Sequence, residues 1–224
     1  MSQKLTIKAL LFDLDGTLVD TIGDILHAMN SALSHAGISP IDSRTCMRFV
    51  GRGLHNALRG ALADSGRDIG PAALKELDQV LLDTYRSHPY ERSLSYPGVE
   101  RLLQNSIASG LTTGVLSNKE DSLVKVIVEK KFPDNPFTFV QGACEGIPLK
   151  PDPAAALSFA RALELEPSQV LFIGDSEVDA QTAIAAGMPY VLVTWGFRPR
   201  AELAASGYHP LYDTVAELEE GVMV

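Results

Sequence analysis

No apolar run in this chain approaches the roughly 20 residues needed to span a bilayer, so a membrane-spanning helix is not expected. No cluster of lysine or arginine offsets the formal net charge of −9, which argues against a nucleic-acid partner. That charge does not exclude a phosphate substrate, because one buried lysine and one bound cation can supply local positive charge. Cysteine is scarce: Cys46 and Cys144 lack metal-ligand spacing and are expected to be free thiols. The five histidines, His27, His35, His55, His88 and His209, form no ligand pattern. Internal repeats and low-complexity segments are also missing. Residues 1–8 are polar and too short for a signal peptide, so a cytoplasmic enzyme, monomer or homodimer, is the expectation. What is present is ordinary for a globular protein: 224 residues, 46% hydrophobic and 21% charged. That length suits one large domain, or one domain with a sizeable insertion.

The most informative segment is Asp13-Leu14-Asp15-Gly16-Thr17-Leu18. It follows Ala9-Leu10-Leu11-Phe12, an apolar run that reads as a buried strand. Carboxylates two residues apart at a strand end point the same way. Gly16 then allows a tight turn, and the Thr17 hydroxyl follows it. Two unneutralised carboxylates there repel unless a cation sits between them or one is held protonated.

After this motif the pattern is helical. Ile22, Ile25, Leu26, Met29, Leu33 and Ala36 share one helical face, with Gly37 as the stop. Further helices are expected over Arg44–Val50, over Leu54–Ala63, and around the Leu74, Leu77, Leu81 and Tyr85 face. They indicate a small helical domain, residues 17–92, inserted into a core made of residues 1–16 and 93–224. Beyond Tyr96-Pro97-Gly98 the pattern alternates. Strands are expected at Thr112–Leu116, Phe137–Val140, Val170–Ile173 and Tyr190–Val193. Helices are expected near Val99–Ser109, Glu120–Lys130, Pro153–Leu163 and Glu177–Ala186. This alternation implies an α/β fold, a doubly wound Rossmann-like parallel sheet covered on both faces. Such sheets bind ligands at the carboxyl ends of their strands.

At those ends the chemistry collects. The first strand ends in Asp13 and Asp15, the second in Ser117-Asn118-Lys119, and the fourth in Gly174-Asp175-Ser176 with Asp179 one helical turn later. Lys150 precedes Pro151, which disfavours helix at the lysine and leaves it in a loop. The set suits phosphoryl transfer. Asp13 is a candidate nucleophile, forming an aspartyl-phosphate. Asp13 and Asp175 are candidate ligands for Mg²⁺, a hard cation that prefers oxygen. Ser117 and Lys150 are placed to bind and stabilise the phosphoryl oxygens. Asp15 is a candidate general acid and base. Thr17, Asn118 and Arg52 are candidate substrate contacts. For Arg52, between two glycines, two readings stay open: a solvent-facing helix terminus, or a bidentate partner for a substrate carboxylate. For Lys119 a site role and an exposed surface lysine are weighed about evenly, and Trp195 is read as packing in a loop after the last strand.

The order of these segments resembles the haloacid dehalogenase superfamily of phosphotransferases. Asp13 to Asp20, Ser117-Asn118-Lys119, Lys150-Pro151-Asp152-Pro153 and Gly174 to Asp179 match its four motifs in order, and the likeness covers nearly the whole chain. The resemblance implies Asp13 as nucleophile and Asp15 as general acid/base. It implies Mg²⁺ held by Asp13, Asp175 and the backbone carbonyl of Asp15, with Asp179 orienting Lys150 or a metal-bound water. It implies a helical cap inserted after the first motif. Within the superfamily the chain is most similar to the phosphoglycolate phosphatase group. The carriers are Gly51-Arg52-Gly53, Tyr96-Pro97-Gly98, Ala183 to Met188 and Thr194-Trp195-Gly196. The expected activity is Mg²⁺-dependent hydrolysis of a small phosphorylated metabolite, 2-phosphoglycolate first. The alternatives are a sugar-phosphate phosphatase, a pyrophosphatase or a β-phosphoglucomutase-like phosphomutase. A phospho-acceptor signalling module is the non-metabolic rival. It lacks a second aspartate two residues after the acceptor, as does a dehalogenase of the same fold.

Overall fold

The computed structural model describes residues 7–67 and 69–222. Most of residues 1–8, read above as no signal segment, lie outside the described residues. Strand β1 (Ala9–Phe12) is buried on both faces, as a central parallel strand requires. The chain then makes a short strand β2 (Val19–Asp20) and enters four helices. These are α1 (Ile22–His35), α2 (Ser43–Met47), α3 (Leu54–Asp64) and α4 (Pro71–Ser87). Strand β3 (Leu94–Ser95) pairs antiparallel with β2, so the two connectors to the helical insert lie side by side.

The remaining elements alternate: α5 (Val99–Ala108), β4 (Thr112–Glu120), α6 (Asp121–Lys131), β5 (Phe139–Ala143), α7 (Ala154–Ala162), β6 (Val170–Gly174), α8 (Glu177–Ala186), β7 (Tyr190–Val193), α9 (Arg200–Ala205), β8 (Leu211–Tyr212) and α10 (Val215–Val222). The main sheet has the order β5-β4-β1-β6-β7-β8, and every pairing in it is parallel. Alternation along β1 sets the layers. Leu10 and Phe12 join a cluster with Leu102 and Leu103 of α5, Val124 and Ile127 of α6 and Leu218 of α10. Ala9 and Leu11 face the other way, against Ala156 and Phe159 of α7 and Ala183 of α8. This is the doubly wound parallel sheet expected.

The insert has its own apolar core. Ile25, Met29 and Leu33 of α1 meet Leu58 and Leu62 of α3 and Leu77, Leu81 and Tyr85 of α4. Phe197 and Leu123, which lie outside the insert, join the same cluster. The insert is thus docked on the sheet edge by apolar contact. A buried carboxylate ties its two connectors together: Asp24 of α1 accepts the Arg92 backbone N–H at 3.0 Å and the Ser93 hydroxyl at 2.5 Å.

Several boundaries differ from expectation. Strand β4 runs on through Ser117, Asn118 and Lys119 to Glu120, because those polar residues are buried and stay extended. Strand β5 begins at Phe139 rather than Phe137, whose ring packs edge-on against Phe132 at 5.5 Å between centroids. Helix α2 ends at Met47, short of Val50, and starts on Asp42, whose side chain accepts the Thr45 N–H at 2.8 Å. Tyr190–Val193 is not the last strand, since β8 pairs beyond it. The two-residue strands and the last two helices carry too little periodicity to read from sequence. No described helix is long and apolar enough to cross a membrane. Cys46 and Cys144 are both free.

Candidate active site

Parallel strands β1, β4 and β6 end side by side, and their loops put the acidic residues in one place. Asp13 follows β1 and donates its N–H to Ile173 of β6 at 2.8 Å. Its Oδ1 meets Lys150 Nζ at 2.8 Å. Lys150 Nζ also donates to Asp179 Oδ1 at 2.7 Å, so this loop lysine bridges two carboxylates. The other oxygen of Asp179 accepts from the Ser176 hydroxyl at 2.7 Å and backbone N–H at 3.1 Å, at the start of α8. Asp175 Oδ2 accepts the Phe197 N–H at 2.6 Å.

Asp13, Asp175 and Asp179 each place a carboxylate oxygen within 4.8 Å of the others, and all three are buried. Burial pushes the Asp13 carboxyl up to about 7; Lys150 opposes the rise, while Asp179 and Asp15 add to it. Burial, then repulsion from Asp179 and Asp13, raises Asp175 well above the ordinary carboxylate range. Burial disfavours the Lys150 charge as well, but Asp13 and Asp179 outweigh it and hold the ammonium protonated. Three buried carboxylates thus cluster around one ammonium that pairs with only two of them, Asp13 and Asp179, and the deficit matches a divalent cation that prefers oxygen ligands. The Asp175 side chain packs directly against glycine backbone. A Cβ on Gly16, where φ is +84°, would come within 2.3 Å of Asp175 Oδ2, and one on Gly196 within 2.4 Å. The all-oxygen donor set fits Mg²⁺.

Asp15 is turned elsewhere. Its carboxylate pairs with Lys119 Nζ, accepts from the Thr21 hydroxyl, and receives the Ser117 hydroxyl at 3.3 Å. Its side chain is therefore outside the acidic trio, whose third member is Asp179. Lys119, for which the sequence leaves two readings level, is 4% exposed and lines the site rather than the surface. Burial disfavours its charge, but Asp15 overrides that and raises its pKa. The signal was available, because residues two apart on a strand share a face and Lys119 lies two after Ser117.

The other candidates fall into place by contact. Asn118 spends its amide on the backbone: Nδ2 donates to Gly51 O at 3.0 Å and Lys150 O at 2.9 Å, and Oδ1 accepts Lys150 N–H at 2.8 Å. It staples the lysine loop to β4 and to the helical insert. Among the described residues, the buried Thr17 hydroxyl has no hydrogen-bond partner. Arg52 is half exposed, 3.6 Å from Glu177. Trp195 packs near Tyr96 and donates its indole N–H to Thr17 O at 3.2 Å. The arginine that reaches inward is one not singled out from sequence, Arg198. It donates to Met47 O and Val50 O, both at 2.7 Å, and pairs with Glu177 at 3.2 Å.

Between the strand ends and the insert lies a cavity of about 30 Å³. Asp13, Asp15, Ser117, Lys119, Lys150 and Asp175 line its floor. Ile25, Val50, Leu54 and Ala57 of the insert, with Phe197, give it apolar walls. By this measure it holds on the order of two waters.

With that geometry in view, the likenesses to known proteins have a physical counterpart. The chain belongs to the haloacid dehalogenase-like hydrolase family, whose model matches residues 10–193. Among similar proteins, the phosphoglycolate phosphatase of Rhodospirillum rubrum is 32% identical over 215 residues, covering 94% of this chain and 89% of that one. The phosphoglycolate phosphatase of Cereibacter sphaeroides is 35% identical over 211 residues, covering 93% and 95%. A crystal structure from Lactobacillus delbrueckii subsp. bulgaricus, of a protein put forward as a phosphoglycolate phosphatase, has a TM-score of 0.92 at 30% identity and covers 97% of this chain and 98% of that one.

Proposed function

We propose that this hydrolase is a phosphoric monoester phosphatase for a small substrate, 2-phosphoglycolate first. The observation that carries the reading is the separation of two neighbouring carboxylates: Asp13 sits with Lys150 and two further aspartates, and Asp15 sits with Lys119. Asp13 attacks phosphorus, and the bond to the leaving oxygen breaks as the aspartyl-phosphate forms. Asp15 gives its proton to that oxygen, which departs as an alcohol. Asp15 then takes a proton from the water that attacks the same phosphorus, releasing inorganic phosphate and regenerating Asp13. Ser117 and Lys150 bind the phosphoryl oxygens, and Asp179 holds Lys150 in place. Asp13, Asp175 and the Asp15 backbone carbonyl would hold Mg²⁺, which would supply the positive charge that the acidic trio lacks.

Residues 17–92 act as a cap that closes over the site and excludes water. The relatives' names support 2-phosphoglycolate as the substrate. The test is phosphate release from a panel of 2-phosphoglycolate, sugar phosphates, nucleotides and pyrophosphate. A preference of at least tenfold in kcat/KM for 2-phosphoglycolate is expected, and a flat profile would remove the substrate assignment. Isomerisation of a sugar phosphate without phosphate release would mark a mutase, and a long-lived phospho-Asp13 would mark a signalling module.

A further inference from the structure

Tyr85 lies near the end of α4, wholly within the cap, yet it faces the catalytic floor. Its side chain is fully buried, and its ring lies under Lys119 Nζ, 5.1 Å from nitrogen to centroid. Lys119 in turn holds Asp15. Among the described residues the Tyr85 hydroxyl makes no hydrogen bond of ordinary geometry, but it stands close enough to Lys119 to favour the ammonium, so ring and hydroxyl both meet that charge.

A lysine ammonium has three donors on a flexible stem. A buried ammonium short of partners is poorly held, and the negative face of an aromatic ring attracts it without competing for its proton. We propose that Tyr85 is a positioning residue: its ring seats Lys119 against Asp15, so the proton-transferring carboxylate is aligned only while the cap is docked. This rests on the reading of Asp15 as the general acid. Docking of the cap then does more than exclude water. It brings the ring that completes the Tyr85–Lys119–Asp15 stack, and a lifted cap leaves Lys119 to water and Asp15 less constrained. Premature proton transfer in the open form is thereby disfavoured.

The test compares two small substrates that differ in their need for a proton. The alkoxide of 2-phosphoglycolate must be protonated as it leaves, whereas acetyl phosphate releases acetate, which need not be. The readout is the ratio of kcat/KM values for the two. The fraction of folded enzyme cancels in that ratio, so a poorly folding variant still gives an answer. Tyr85→Leu should lower the ratio on the order of tenfold, through weaker use of the general acid. Tyr85→Phe keeps the ring and should leave the ratio within about threefold of wild type. Lys119→Met should lower it at least as far as Tyr85→Leu. An unchanged ratio in Tyr85→Leu would overturn the positioning role. A Tyr85→Phe ratio as low as that of Tyr85→Leu would overturn the assignment to the ring. Wild-type enzyme that releases phosphate from neither compound, nor from any other alkyl phosphate, would instead bring down the phosphatase reading and this inference with it.

Discussion

The two halves of the active site, one around Asp13 and one around Asp15, are built on opposite electrostatic terms. Asp13 shares the Lys150 ammonium with Asp179, Asp175 stands beside them without it, and burial lifts the Asp13 carboxyl to about 7. Asp15 has Lys119 as its own ion-pair partner, with two hydroxyls beside it. The first half is left short of positive charge, which suits a metal and an incoming phosphoryl group. The second is balanced and holds one carboxylate in a fixed ion pair. Two residues of separation thus become two electrostatic environments, because β4 brings Lys119 to Asp15 while the loop before α7 and the segment after β6 bring Lys150, Asp175 and Asp179 to Asp13.

The largest expected effect removes the first half's nucleophile. Asp13→Asn should lower turnover on the order of 10⁴-fold or more, as loss of a nucleophile does. Phosphate release near the wild-type rate would end its assignment. On the other side, Asp15→Asn should cost on the order of 10²–10⁴ in kcat/KM with 2-phosphoglycolate. Acetyl phosphate should suffer much less, and an equal loss with both would give Asp15 a different role.

The charge deficit itself makes a third prediction, read in melting temperature. An acid whose pKa is raised by folding holds its proton more tightly in the folded state, so stability falls as pH rises. For Asp13 the loss runs from the ordinary carboxylate value of 3.8 up to about 7. EDTA-treated protein should therefore melt higher near pH 5 than near pH 8, and Mg²⁺ should raise the melting point more at the higher pH. Asp175→Asn should stabilise the metal-free protein and weaken the Mg²⁺ effect. A Mg²⁺ effect that is larger at the acid end would contradict the metal site.

Smaller effects belong to the cap contacts. Arg198→Met removes donors from two buried carbonyls and should cost about 2 kcal/mol, measured by urea unfolding. A loss below a few tenths of that would show that apolar docking alone holds the cap. Arg52→Ala removes only a half-exposed contact to Glu177, so stability should shift by less than about 1 kcal/mol. A tenfold rise in KM for 2-phosphoglycolate would reveal that Arg52 swings onto the substrate during turnover.

The alternating half of the chain was the more legible. Tyr190–Val193 and Glu177–Ala186 coincide with β7 and α8, because a buried parallel strand and a capped helix leave strong local patterns. The end of β4 was not legible, since Ser117, Asn118 and Lys119 look like a surface turn until their neighbours are known. Arg198 was missed for a similar reason: its partners are backbone carbonyls about 150 residues away, and no local spacing reports them. The acidic residues after β1 and β6 were legible because they sit at strand ends of a fold whose ligand edge follows from its topology.

The sequence by itself determined the class of fold and the chemistry of the strand ends. Both are local: apolar periodicity makes the elements, and residue type makes a nucleophile, an acid or a metal ligand. Only the tertiary structure decided how charge is shared among those groups. Lys119 belongs to Asp15 and Lys150 to Asp13 and Asp179 because β4 and the Lys150 loop flank β1 and β6 at the same sheet edge. Coulomb energy and desolvation depend on distance and burial, not on order along the chain. For that reason the division of labour between Asp13 and Asp15, and the reach of Tyr85 from the cap to Lys119, exist only once the chain is folded.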